Sequence, residues 1–61
     1  MKVRQFVALL KRNGCTLRRH GANHDWWYSP ITKRSYAIPR HPSKELLPRI
    51  EAEAREVLGI G

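Results

Sequence analysis

Along the chain the spacing of apolar residues changes from a helical period to an alternating one and back again. In "KVRQFVALLKRNG" the residues Val3, Phe6, Val7 and Leu10 fall at i, i+3, i+4 and i+7, one face of an α-helix. Asn13-Gly14 supplies a left-handed stop after it. "CTLRRH" then alternates, with Cys15, Leu17 and Arg19 on one side and Thr16, Arg18 and His20 on the other, the period of a strand. "GAN" is turn chemistry, "HDWWYS" is rich in aromatic strand formers, and "PITKR" forms a second turn. "SYAI" is a short third strand, ended by Pro39, which cannot donate to a ladder. "HPSKELL" is a connection, and Pro48 suits the first turn of a closing helix. There Ile50, Ala54, Val57 and Leu58 make a second stripe, Gly59 is the expected cap, and Ile60 can fold back on the last turn.

The order of elements predicts an α+β fold, an α-β-β-β-α two-layer sandwich. Its three-stranded antiparallel sheet carries both helices on one face and leaves the other open. With 61 residues the chain makes a single domain, spanning positions 1–61.

Alternation divides the aromatic strand into two sets: His24, Trp26 and Tyr28 on one face, Asp25, Trp27 and Ser29 on the other. Two large apolar groups favour burying the first set. That choice would put His24 in a core and leave Trp27 alone in water. Periodicity does not decide between them. Each tryptophan suits a core. The two cannot share a layer, so at least one belongs to a surface, as a base-stacking platform or an anchor for a protein partner.

Charge narrows the choice. The net charge is +7, and residues 1–40 carry +8 while residues 41–61 carry −1. A basic excess on one part of a small domain points to a polyanionic partner, the alternative being a solvated basic surface. Cys15 is the one cysteine, so no internal disulfide can form, and the histidines and carboxylates have no metal-ligand spacing. No metal or cofactor is expected. No apolar run has the length of a membrane span, and "MKVRQFVALLKR" is too interrupted by charge for a signal peptide, so a cytoplasmic protein without a membrane partner is expected.

His24 is the candidate for chemistry. Imidazole both takes and gives a proton near neutrality. Scission of an RNA strand needs a base for the 2′-hydroxyl and an acid for the departing 5′-oxygen. Cations must balance the phosphate charge, and Arg18, Arg19, Lys33, Arg34 and Arg40 are available. Trp26 and Tyr28 are candidates for stacking on bases. Arg40 and His41, in "IPRHP", suit either a phosphate clamp and second acid or a turn held between two prolines. His20 reads as surface.

These motifs together resemble the HicA toxins, small mRNA interferases of toxin–antitoxin pairs. The resemblance is carried by an opening helix ending in "NG", by "LRRHGANH", by "IPRHP" and by a last helix closed by "LGI". It implies a double-stranded-RNA-binding-domain-like fold and an endoribonuclease, which the lack of metal-ligand spacing makes metal-independent. It also implies an essential histidine at His24, Trp27 facing inward with His24, Trp26 and Tyr28 on the open face, and a HicB-type antitoxin covering the site. Two departures stand out: Ala22 replaces the usual serine, and Cys15 stands where a large aromatic is common, space that Trp27 can fill. Two other functions compete, a non-catalytic RNA-binding module of the same shape and a protein-interaction domain.

Overall fold

The computed structural model describes all 61 residues. The elements are α1 (Val3–Arg12), β1 (Thr16–His20), β2 (His24–Ser29), β3 (Arg34–Pro39) and α2 (Pro48–Leu58). The strands form one antiparallel meander in the order β1-β2-β3. Phe6 and Leu10 of α1 and Ala54 and Leu58 of α2 are buried in one cluster with Trp27 and Ile38, so both helices cover the same sheet face.

Both helices end in the same way. After α1, Gly14 turns left-handed at φ 82°, its N–H donating to the Lys11 carbonyl and that of Cys15 to the Leu10 carbonyl. After α2, Gly59 does so at φ 70°, with its N–H on the Glu56 carbonyl and that of Ile60 on the Arg55 carbonyl. Each arrangement satisfies carbonyls that the helix leaves unpaired, and the residue after each glycine, Cys15 or Ile60, is buried. At the start of α1 the N–H groups of Val3 and Arg4 donate to the carbonyls of Lys44 and Pro42, at 2.9 and 3.0 Å. The long connection before α2 thus caps α1.

The face assignment of β2 follows Trp27, which is 6% exposed, and Ser29, which is fully buried. His24 is exposed, while Trp26 and Tyr28 are half-buried on the open face. Counting apolar groups therefore favoured the wrong set. One indole opposite Tyr36 fills the layer beneath the helices, and the rings of the other set are covered by arginines instead.

Strand β1 corrects the simple alternation. Leu17 opposes Trp27 and Arg19 opposes Trp26, so Arg18 is an extra residue, a β-bulge. Its effect is to turn two consecutive arginines to the same side: the Arg18 guanidinium lies 4.5 Å from the Tyr28 ring centre and that of Arg19 lies 5.6 Å from Trp26. Every residue of β1 is exposed, including Leu17.

Candidate functional site

The turn from Gly21 to Asn23 delivers His24 to the first position of β2, opposite Pro39. The turn is tight because the Gly21 N–H donates to the His24 carbonyl at 2.7 Å. A side-chain Cβ at position 21 would stand 2.8 Å from that carbonyl oxygen, so glycine is required by space. The Arg40 N–H donates to the Asn23 carbonyl at 3.3 Å and joins β3 to the turn. His24 and Trp26, with Ala37, Pro39 and the turn itself, line an open cleft of about 520 Å³.

Of the cations anticipated for phosphate contact, Arg18 and Arg19 stand on the open face with His24. Their guanidinium planes rest on the Tyr28 and Trp26 rings, leaving N–H edges free to meet an anion. The rings are therefore not bare platforms, and a base reaching this face meets arginine planes first. Lys33 and Arg34 lie at the far end of the β2–β3 hairpin, since Ser29 opposes Arg34 where His24 opposes Pro39. At strand rise that separation is about 17 Å. Lys33 is left-handed, with φ 59°. His41 is exposed in the connection after β3 and is not among the residues lining the cleft.

Arg40 sits elsewhere. Its Nε–H donates to Asp25 Oδ1 at 2.8 Å, and its Nη2–H donates to the Gly21 carbonyl. The same Asp25 oxygen accepts from His20 Nδ1 at 2.7 Å. Asp25 opposes the fully buried Ile38, so this group lies on the helix side of the sheet, behind the His24 turn. Partial burial pushes the Asp25 carboxyl up, but the hydrogen bonds and charges of His20 and Arg40 outweigh it and hold the group below the usual carboxylate range. An ionised carboxylate only accepts, so the proton in the His20 contact is on Nδ1. The sequence reads His20 as plain surface and does not mark Asp25 as a site residue. The contact signal was absent because it depends on strand register, fifteen residues apart for Asp25 and Arg40. At the Tyr36 phenol, by contrast, the hydrogen bond to the Glu53 carboxylate and then burial raise the pKa to about 12, and the pair fastens β3 to α2.

No group of three or more His, Cys, Asp or Glu side chains converges in a metal-holding arrangement, and no helix is long and apolar enough to cross a membrane. What converges instead is an exposed imidazole beside a cleft, on a sheet face flanked by paired arginines. Fold and face together define a small basic α-β-β-β-α domain with an open sheet face. Residues 3–60 match the family model described as the HicA toxin of bacterial toxin–antitoxin systems, nearly the whole chain, and the chain belongs to that family. It is thus a toxin domain, of a family whose members act with an antitoxin partner. No curated protein and no solved structure gives a significant match.

Proposed function

We propose that this toxin is an endoribonuclease that cleaves mRNA without a metal ion, with His24 as general acid and base, and that a HicB-type antitoxin neutralises it. The observation that carries the reading is the placement of His24: exposed, at a turn whose backbone is closed on itself, beside a cleft, and on the sheet face that also carries Arg18 and Arg19. The imidazole takes the proton of an RNA 2′-hydroxyl as its oxygen bonds to phosphorus. The bond from phosphorus to the 5′-oxygen breaks, and the proton passes to that oxygen. The products carry a 2′,3′-cyclic phosphate and a 5′-hydroxyl. Arg19, whose backbone opposes Trp26 two positions from His24, is the nearest in register of the open-face cations to balance charge on the phosphate.

The test compares the parent with His24→Ala on a defined RNA. Cleavage should fall by about 10²–10⁴-fold, the usual contribution of a positioned acid and base. Affinity should hold, since the arginines remain, and added chelator should leave the parent rate unchanged. Equal cleavage by both proteins would leave the competing reading, an RNA-binding domain without chemistry. That reading is favoured by the guanidinium–ring stacks, which suit unpaired bases whether or not a bond is broken.

A further inference from the structure

We propose that Arg40 and Asp25 are positioning residues for His24, with His20 as an outer support, and that Arg40 is withheld from RNA. This deepens the reading of His24 as the acid and base and rests on it. The Arg40 guanidinium already has two partners, the Asp25 carboxylate and the Gly21 carbonyl. Gly21 in turn gives its N–H to the carbonyl of His24. A chain of contacts therefore runs from His20 through Asp25 and Arg40 to Gly21 and then to the backbone of His24. The Arg40 backbone adds a second hold on the same turn, at Asn23. The charged links, His20 to Asp25 and Asp25 to Arg40, lie on the helix side of the sheet, while Gly21 and Asn23 belong to the turn that lines the cleft. The chain fixes where β2 begins, and so where the imidazole stands, without reaching the cleft with its charge.

The geometry needs a planar fork. Two N–H groups of one guanidinium point to a carboxylate and a carbonyl at once, while the compact ammonium of a lysine keeps the charge and loses the fork. A phosphate contact would tolerate that exchange far better. Asp25 gives the complementary case, because it is the one acid within residues 1–40. Removing it makes the surface more attractive to RNA while releasing the turn.

The experiment measures single-turnover cleavage of a defined RNA, RNA affinity across salt, and amide exchange at Gly21, for the parent, Arg40→Lys, Asp25→Ala and His24→Ala. For Arg40→Lys we expect affinity and salt slope equal to the parent, cleavage lower by about 10²-fold as for a misplaced catalytic group, and Gly21 exchange faster by about tenfold, as for one weakened hydrogen bond. For Asp25→Ala we expect affinity equal or higher, with the same loss of cleavage. Should Asp25→Ala fail to fold, Arg40→Lys carries the test alone. Parent-rate cleavage by Arg40→Lys, with Gly21 exchange unchanged, overturns the proposal. So does a loss of affinity in Arg40→Lys with the rate on bound RNA intact, which would make Arg40 an RNA contact. If His24→Ala cleaves at the parent rate, the catalytic reading itself fails. Gly21 exchange in Arg40→Lys then still decides whether the brace exists.

Discussion

At the end of the sheet where β2 turns into β3, the chain is fastened by uncharged groups that are buried at Ser29 and partly buried at Thr32. Ser29 Oγ donates to the Leu58 carbonyl at 2.6 Å and accepts the Ile31 N–H at 3.2 Å, while Thr32 Oγ1 donates to the Val57 carbonyl at 2.7 Å. The last carbonyls of α2 are thereby satisfied by hydroxyls of the hairpin. At the other end, where β1 turns into β2, the fastening is ionic and in contact with water, with the His20 side chain 64% and that of Arg40 42% exposed. Exposed ion pairs contribute about 0–1 kcal/mol to stability, whereas leaving a buried carbonyl unpaired costs about 1–3 kcal/mol. Of the two fastenings, that of the hairpin end therefore contributes more to stability. The turn end sets where one imidazole stands.

Substitution at the hairpin end should cost stability first. A Cβ on Gly59 would sit 2.7 Å from Thr32 Cγ2, at a backbone φ of 70°. Gly59→Ala should cost about 2–3 kcal/mol, the left-handed penalty plus displacement of that side chain, and Ser29→Ala about 1–3 kcal/mol. For a domain of this size each kcal/mol lowers the melting temperature by about 4–8 °C. Thermal melts check the loss. Cleavage per folded molecule should stay at the parent value in both, and a cleavage defect without a stability loss would erase the distinction between the ends.

The turn end has a pH signature. The Asp25 carboxyl titrates lower in the folded chain than its usual value near 3.8. Its stabilising contribution is therefore complete above that value and lost as pH falls through the lowered folded one. Melts of parent and Asp25→Asn should differ by a constant amount above about pH 4 and converge as pH falls through the lowered folded value. Curves parallel across the whole range would mean that the carboxylate holds nothing. The smallest effect belongs to Lys33, which adopts φ 59° at the hairpin tip. Lys33→Asn should gain about 0.5 kcal/mol, because asparagine relieves part of the left-handed penalty. A melt unchanged or lowered would show that the lysine side chain makes up for its backbone.

Much of the fold is legible in the sequence because it is local. The stripe of Val3, Phe6 and Leu10, the two glycines at 14 and 59, and the alternation of β2 are each set within one element. The strand bounds of "HDWWYS" are those observed. The burial of Trp27 rather than Trp26 is not local, since it depends on what the helices place opposite it, and only the family resemblance indicated the right face. Neither is the bulge at Arg18, which exists only as a mismatch between two strands. Within the site, His24 was marked by its own chemistry and turn. The work assigned to Arg40 depended on Asp25 and Gly21 arriving beside it, and nothing in "IPRHP" distinguishes a clamp on RNA from a clamp on the chain. The hydroxyl caps from Ser29 and Thr32 carried no signal either, as serine and threonine near a turn have many other uses.

The bulge also bears on how such a chain tolerates a change of length. Leu17 and Arg19 already oppose consecutive residues of β2, so dropping Arg18 joins them into an unbroken ladder. Cys15 keeps its place under the helices and His20 keeps its partner across the strand. The deletion subtracts one cation from the sheet face and leaves the histidine turn where it was. In that sense position 18 is a dial for the charge of the surface, adjustable by a single codon without redrawing the scaffold.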